Sequence, residues 1–545
     1  MTSTSTITLD HVSCVLPDGR TLFSDLCEHF DQRRTGLVGR NGVGKSWLAR
    51  ILAGLQAPSQ GRCLRSGTVW HLAQCTDWHG QPSVAALAGL KPAFDALARI
   101  EAGSTDPADF ERLADRWDLR QRLQAQLEIE GLGHVNADTP GHALSGGEAV
   151  RVALVGALLS GADHLVLDEP SNHLDGASRA ALARQLQRWP RGLIVVSHDR
   201  RLLEGMERTV ELSPLGLRSH GGGYGLYAEA KARDLARAGE QLAQRKLERR
   251  RETQQLREQQ ERQERRQARG SRQGQEANQA RILLDRQKER SEDSAGRLRL
   301  QQAAARERLD LRVREAAGQV EQAMPIHLQG LPVAAGAGQR VVAWLEQVVL
   351  PGADGQAPLD LSLRGGQRLA ITGPNGCGKT RLLEVLAGRL QPAAGRAGLC
   401  VPSACLDQRL SGLDGTLPVL DLVRQACPGL AEDLLRTRLA QLGLGPQQLA
   451  LSGEQLSGGE RLKAALACAL HAEPPAQLLL LDEPCNHLDL ASMQALEAML
   501  CDYQGALVVV SHDEAFLAAL ALTDRLEHLP GGWRLGPGGE GAPAT

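Results

Sequence analysis

Short apolar runs alternate with longer stretches of helical period at both ends of the chain, and the middle carries a different pattern. Runs such as Leu193 to Val196 and Leu507 to Val510 are continuous and β-rich, and helical patterns separate them. That alternation predicts an α/β fold with a parallel sheet in each half. In the middle no proline occurs from Leu215 to Met324, and Arg, Glu, Gln, Ala and Leu dominate, all good helix formers. Two long helices are expected, Ala228 to Arg269 and an antiparallel return from Gln275 to Gln322, parted by the breakers Gly270, Ser271 and Gly274. Their apolar seam is thin: Leu235, Leu242 and Leu256 on one helix, Leu309, Val313, Ala316 and Val320 on the other, with Gly296 interrupting the return. In the first half Asp106 can cap a helix that has Pro107 at its first position and runs on through Phe110, Leu113 and Trp117.

The two ends repeat each other. The first half reads GRNGVGKS (Gly39 to Ser46), Gln74, LSGGE (Leu144 to Glu148), HLVLDEPSNHLD (His164 to Asp175) and SHD (Ser197 to Asp199). The second reads GPNGCGKT (Gly373 to Thr380), Gln408, LSGGE (Leu456 to Glu460), LLLLDEPCNHLD (Leu478 to Asp489) and SHD (Ser511 to Asp513). Lysine to glutamine spans 29 residues in both halves and aspartate to histidine 30, so the chain is a tandem duplication of one domain. From glutamine to the LSGGE serine the first half has 71 residues and the second 49, which places 22 extra residues in the helical region of Asp106.

Composition narrows the class. The 545 residues are 42% apolar and 23% charged, as in soluble globular proteins, and are enough for several domains. No uninterrupted apolar run reaches 18 residues and Met1 to Asp10 lacks the character of a signal peptide, so a soluble, cytoplasmic protein is expected. Eleven cysteines are scattered without the paired short spacings of zinc or iron–sulfur sites, and reduced thiols are expected. The net charge of −2 conceals a division: Lys231 to Glu321 hold 24 basic and 16 acidic residues, net +8, against −10 for the remainder. A basic middle on an acidic body points to an anionic partner, nucleic acid first.

The repeated motifs carry phosphate chemistry. A glycine-rich loop entering a helix presents N–H groups and a positive dipole end, which suits Gly39, Gly42 and Gly44, and Gly373, Gly376 and Gly378, with Asn41 and Asn375 inside the same loops. Lys45 and Lys379 would reach the β- and γ-phosphates, and the hydroxyls of Ser46 and Thr380 would ligate Mg²⁺. Asp168 and Asp482 end apolar strands, where a carboxylate can hold Mg²⁺ through its water shell. Glu169 and Glu483 would orient the attacking water, and His198 and His512 would sense the γ-phosphate. The glycines of LSGGE open a helix and so offer a second set of N–H donors.

On these motifs the chain resembles the ATP-binding cassette family, whose signature is LSGGE, over both halves. The resemblance implies ATP and Mg²⁺ as ligands and two head-to-tail sites. One joins Lys45, Ser46, Gln74, Asp168, Glu169 and His198 to Ser457, Gly458 and Gly459. The other joins Lys379, Thr380, Gln408, Asp482, Glu483 and His512 to Ser145, Gly146 and Gly147. Gln74 and Gln408 are implied as Mg²⁺ ligands, and both sites keep a glutamate for hydrolysis. The family's adenine-stacking aromatic is replaced: Cys14, Val15 and Leu16 occupy its region in the first half, and Val348, Val349 and Leu350 in the second.

Two cassettes, SNHLD and CNHLD after the catalytic glutamates, and a long charged linker make the chain similar to the ABC-F subfamily of translational ATPases. The resulting architecture is two P-loop cassettes joined by a long α-helical hairpin: residues 1–227 with an arm-like insertion at about 94–130, a basic linker at 228–327, and 328–545 ending in a Gly/Pro-rich tail. The resemblance implies a monomer with intramolecular cassette pairing and no membrane partner. It also implies binding to the ribosome, both ribosomal RNA and tRNA, in the ATP-closed state, with the linker near the P-site tRNA. Aromatics are absent from Ala228 to Ala343, which favours backbone or shape contacts over base stacking. Arg262, Arg265, Arg266, Arg269, Arg272 and Arg281 lie nearest the turn and are the candidate RNA contacts. Two alternatives are a DNA-associated repair or recombination ATPase and the fused ATPase subunit of a membrane importer; a linker approaching 100 residues counts against the importer.

Overall fold

A computed structural model describes residues 5–73, 80, 82–113, 116–172, 174–276, 303–304, 307–314, 340–352, 357–407, 410, 413, 415–486 and 488–538. Two compact units emerge, one formed by Met1–Tyr227 with Ile326–Thr545 and the other by Ala228–Pro325.

In the first cassette the strands are β1 (Thr6–Val15), β2 (Thr21–Phe30), β3 (Arg34–Gly39), β4 (Gln60–Ser66), β5 (Val69–Leu72), β6 (His164–Asp168), β7 (Gly192–Val196), β8 (Arg208–Ser213) and β9 (Gly216–Gly221). They form a three-stranded antiparallel sheet in the order β2-β1-β4 and a six-stranded sheet in the order β5-β6-β7-β3-β8-β9, parallel except for β9. The second cassette repeats this with β10 (Val341–Val349), β11 (Leu359–Arg364), β12 (Arg368–Thr372), β13 (Ala394–Leu399), β14 (Ser403–Leu406), β15 (Leu478–Asp482), β16 (Ala506–Val510), β17 (Asp524–Leu529) and β18 (Gly532–Pro537). Its sheets run β11-β10-β13 and β14-β15-β16-β12-β17-β18, the same topology position for position.

Every residue of β6, β7, β15 and β16 is buried, because helices or the small sheet cover both faces of these strands. Their continuous Leu and Val runs suit that environment, each side chain contributing about 1.5–3 kcal/mol on burial. The core between the two sheets of the first cassette gathers Ile7, Leu9 and Phe30 with Leu48, Ile51 and Leu52 from the helix Lys45–Ala53. That packing holds the phosphate-loop helix against the tips of the central strands.

The insertion forms helices Lys91–Glu101, Pro107–Leu113 and Leu119–Ile129. Asp106 Oδ1 accepts from Ala108 N at 3.0 Å, as a capping residue should. The helix Pro107–Leu113 does not run through Trp117, however, which lies in a turn. Phe110 and Trp117 are both exposed and face each other at 6.1 Å, while Leu113 alone of the three reaches the core. Leu119, Leu123 and Leu127 pack with Val152 and Val155 of the helix Gly146–Ser160, so the insertion braces the helix that carries LSGGE.

The first linker helix spans Tyr224–Glu276, beginning before the expected Ala228 and continuing past the expected end at Arg269. Gly270, Ser271 and Gly274 do not break it. A glycine in a helix interior costs only about 1 kcal/mol, which the strong formers around it offset once the helix is nucleated. Of the return, residues 307–314 are helical, Leu309 is buried, and Arg249 Nη1 pairs with Asp310 Oδ1 at 3.2 Å across the two segments. Gly296, Ala316 and Val320 lie outside the described residues. No helix among the described residues is long and apolar enough to cross a membrane.

Candidate functional site

Gly39 ends β3, and its carbon face lies so close to the next strand that a Cβ would meet the Leu212 carbonyl oxygen at 2.4 Å. Gly44 adopts φ 102 and caps the helix Lys45–Ala53 without any side-chain cap, so the first N–H groups of that helix face the loop. Gly378 repeats this at φ 101 before the helix Lys379–Leu386. Lys45 is buried, and its ammonium donates to the carbonyls of Gly39 at 2.8 Å and Arg40 at 3.1 Å. Lys379 does the same to Gly373 at 3.0 Å and Pro374 at 2.9 Å. Burial pulls the Lys45 ammonium below the usual lysine range, opposed by Glu169, Asp489 and Asp168 nearby.

The carboxylates stand at the tips of β6 and β15. The Ser46 hydroxyl hydrogen-bonds the Asp168 carboxylate, and Thr380 Oγ1 donates to Asp482 Oδ2 at 2.6 Å. Burial pushes both aspartates up, the hydroxyls opposing. Glu169 and Glu483 each hold φ near the left-handed region, 50 and 47, a strained conformation for a residue with a side chain. Burial pushes their carboxyls up to about 8 and about 7 respectively. His198 Nε2 lies 3.4 Å from Glu169 Oε1 and His512 Nε2 lies 3.5 Å from Glu483 Oε1. Burial lowers these imidazoles to about 3 and about 4, so both are neutral at physiological pH.

Ser145 and Ser457 cap the helices Gly146–Ser160 and Gly458–His471 in complete capping boxes with Glu148 and Glu460. The last letter of LSGGE is thus a structural acid that holds the serine in place. The second glycine also has a packing reason: a Cβ on Gly147 would strike Ser178 Oγ at 2.3 Å, and one on Gly459 would strike Ser492 Oγ at 2.7 Å.

One cavity of about 580 Å³ unites residues of both cassettes. Asn41, Gly42, Gly44, Lys45, Ser46, Asp168, Glu169 and His198 line it from the first cassette, and Ser457 and Gly458 from the second. Gly459 stands one residue further into the helix. On the other side Asp175 accepts from the backbone N–H of Asn375, and His512 Nε2 lies 3.1 Å from Asn375 Oδ1. Lys379, Thr380, Asp482, Glu483 and His512 gather there, and a second cavity of about 480 Å³ is lined by Asp482, Glu483 and Gly458. Ser145, Gly146 and Gly147 line neither cavity. Gln74 and Gln408 lie outside the described residues.

The sequence motifs included Asp489 without revealing its partner. Its Oδ2 accepts from Asn41 N at 2.9 Å, across the cassettes, while Oδ1 accepts from Ser492 N at 2.8 Å and caps the helix Leu490–Asp502. The recurrence of NHLD in both halves was the available signal. Leu16, Arg20, Leu22 and Trp47 also border the first cavity, so the segment before the phosphate loop brings aliphatic carbon and a guanidinium to it, while an indole comes from Trp47 in the helix after the loop. Cys14 instead is buried in the core, and Leu350 packs within reach of Gly378. Trp47 has Arg381 as its counterpart in the second repeat. Adding ATP is therefore expected to change tryptophan emission, with most of the change lost in Trp47→Phe; an undiminished signal in that variant would place the bound nucleotide elsewhere.

On the linker, Arg262 and Arg265 are highly exposed, each with a glutamate one turn back at 3.9 Å, Glu258 and Glu261, and Arg269 is exposed as well. Such surface pairs are worth well under about 1 kcal/mol and leave the guanidinium groups available. The side chains of Arg266 and Arg272, and the whole of Arg281, lie outside the described residues.

The family profile described as ABC transporter matches residues 29–172 and 357–486. The tylosin resistance ATP-binding protein TlrC of Streptomyces fradiae is 34% identical over 507 residues, covering 88% of this chain and 89% of that protein. The energy-dependent translational throttle protein EttA of Mycobacterium tuberculosis is 32% identical over 514 residues, covering 89% of this chain and 84% of that one. Among solved structures, the archaeal ribosome recycling factor aABCE1, in complex with the ribosomal stalk protein aP1, superposes with a TM-score of 0.54 at 18% identity. That match covers 96% of this chain and 89% of the other, and shows a shared fold.

Proposed function

Since the chain belongs to the ABC-F branch of the ATP-binding cassette proteins, which are ATP hydrolases, we propose that nucleotide bound between its cassettes closes them and that the closed form engages the ribosome. The observation that carries this reading is the shared cavity, in which the phosphate loop of one cassette faces the signature serine of the other. A ligand touching both walls stabilises the closed arrangement over the open one, and by that difference alone can shift the population.

The donor set fits a magnesium nucleotide. Helix N–H groups without a side-chain cap, a buried lysine, and a hydroxyl beside a buried carboxylate whose Oδ1 has no hydrogen-bond partner among the described residues supply what phosphate and a hard cation require. Ser46, Asp168 and Gln74 would hold Mg²⁺ in the first site and Thr380, Asp482 and Gln408 in the second; the ion neutralises charge on the phosphate oxygens. Gly39, Asn41, Gly42, Gly44 and Lys45 bind phosphate, as do Gly373, Asn375, Gly376, Gly378 and Lys379. Ser457 with Gly458 and Gly459, and Ser145 with Gly146 and Gly147, close the opposite walls. Glu169 and Glu483 accept a hydrogen bond from the attacking water and orient it. The neutral imidazoles of His198 and His512 offer an N–H toward the transferred group without adding a charge.

The names of EttA and TlrC, a translational throttle and a tylosin resistance protein, support a role on the ribosome in the cytoplasm. The basic linker supports RNA as the surface touched, a coiled-coil-like hairpin placing Arg262, Arg265, Arg266, Arg269, Arg272 and Arg281 toward rRNA and tRNA. The protein acts as a monomer whose cassettes pair within one chain, without a membrane partner.

Cosedimentation tests the proposal. Wild-type protein is expected to pellet with intact ribosomes in a slowly hydrolysed ATP analogue and to remain free in ADP; equal behaviour in both nucleotides would refute closure-dependent binding. Reversing Arg262, Arg265 and Arg269 to Glu should weaken the association at least about tenfold and flatten its log–log salt dependence by about 2, as for three lost phosphate contacts. Basal ATPase should be unchanged; its collapse would make the linker part of the motor.

A further inference from the structure

The β-bulge where β1 meets β2 differs from its repeat-mate in a way the fold does not require. In the second cassette Gln347 occupies the bulge at φ 49, and its N–H and side-chain amide both donate to Asp360 of β11, the backbone bond at 2.7 Å. The bulged N–H needs an acceptor, and one carboxylate provides it. In the first cassette the bulged residue is His11, at φ 52, and by register Cys27 stands where Asp360 stands, accepting from His11 N at 3.4 Å. A second irregularity in β2 puts Asp25 at φ 57, its N–H held by Ser13 Oγ at 3.0 Å. That turns the Asp25 carboxylate onto His11, with Oδ1 at 2.5 Å from Nδ1. Pro358, the counterpart of Asp25, offers no such group.

One nitrogen, one oxygen and one sulfur ligand atom from His11, Asp25 and Cys27 consequently lie within 4.8 Å of one another, all on solvent-facing side chains. Of the two repeats only this one has replaced an amide–carboxylate clamp with three metal-ligating groups. We propose that His11, Asp25 and Cys27 form a binding site for a divalent ion of the zinc class, with water completing its coordination. A mixed imidazole, carboxylate and thiolate set suits a borderline cation and disfavours Mg²⁺ or Ca²⁺, which want oxygen alone. Small side-chain rotations bring the three atoms to ordinary bonding distances of about 2.0–2.3 Å. On binding, the thiol proton passes to solvent, the shared His11–Asp25 hydrogen bond gives way to bonds to the ion, and the His11 N–H remains directed at the sulfur as a supporting contact. The ion would cross-link β1 to β2, remote in chemistry from the phosphate loops.

The test uses full-length, tag-free protein saturated with Mg²⁺ and titrated with Co²⁺ as a spectroscopic substitute for Zn²⁺. One equivalent is expected to bind with a thiolate-to-cobalt charge-transfer band, which a carboxylate site cannot produce. Cys27→Ser should abolish the band, and His11→Gln should weaken binding at least tenfold. The glutamine is the residue the repeat-mate carries at the same positive φ, so this variant should keep the bulge and its unfolding temperature without added metal. A band absent from wild type, a band surviving in Cys27→Ser, or His11→Gln binding with less than a tenfold loss would each overturn the assignment.

Discussion

Replacing Glu169 and Glu483 together by Gln should lower ATP turnover by about two to four orders of magnitude, the usual contribution of a positioned base, and leave the protein on ribosomes in ATP alone. Both carboxyls are buried, and burial raises them to about 8 and about 7, so exchanging either for a neutral amide of equal shape removes a desolvation cost and should not unfold the domain. What would be lost is the acceptor proposed to orient water; the phosphate loops and signature helices are untouched. Closure without reopening follows, and the variant should pellet with ribosomes in ATP where wild type needs a slowly hydrolysed analogue. Free sedimentation of the double variant, with ATP present and ribosomes intact, would count heavily against closure as the binding signal.

The second large effect is expected at Arg200. Its Nη1 donates to Glu497 Oε1 at 2.7 Å across the cassettes, with the side chains only 12% and 13% exposed. The guanidinium also sits over the Tyr224 ring at 5.5 Å, and Gln494 Nε2 donates to the Tyr224 hydroxyl at 3.2 Å. Tyr224 begins the linker helix, and Tyr227 one turn later is buried among Val38, Leu203 and Leu490. The repeat does not reproduce this clamp: Glu514 and Ala183 hold the equivalent positions, and Glu514 pairs with Arg525 of its own cassette. Among the described residues, Tyr224 at the start of the helix Tyr224–Glu276 thus touches the Arg200–Glu497 contact between the cassettes.

Arg200→Ala leaves Glu497 buried without its partner in the closed form, a cost of about 3–5 kcal/mol. At about 1.4 kcal/mol per factor of ten the closed state should lose roughly two to four orders of magnitude in population. Fluorophores on the two cassettes should then report closure only at correspondingly higher ATP. The double variant Arg200→Leu with Glu497→Leu removes both charges and should recover much of the loss. If Arg200→Ala closed at the same ATP concentration as wild type, the clamp would be a passive contact.

Much of the nucleotide site was legible because its chemistry is local. A glycine-rich turn into a helix and a carboxylate at the end of an apolar run each specify backbone geometry within a few residues. The same locality misled the reading at Gly270 and Trp117. A breaker acts on its immediate neighbours, whereas a 53-residue helix already nucleated carries through glycine, and Trp117 falls in a turn while Leu113 supplies the contact with the core. Nor did the motif LSGGE disclose that its glutamate caps a helix and its second glycine makes room for a serine.

By itself the chain's order of residues determined two copies of an α/β nucleotide-binding domain, the glycine-rich loops and strand-end carboxylates repeated in each, and a basic helical segment between them. Only the tertiary structure decided which copies of those groups meet: Asn41 with Asp489, 448 positions away, Arg200 with Glu497, and His11 with Cys27 on a neighbouring strand. Periodicity and loop chemistry are short-range properties of backbone and side chain. Partners across a fold are set by how buried apolar faces pack, and no spacing along the chain encodes that distance.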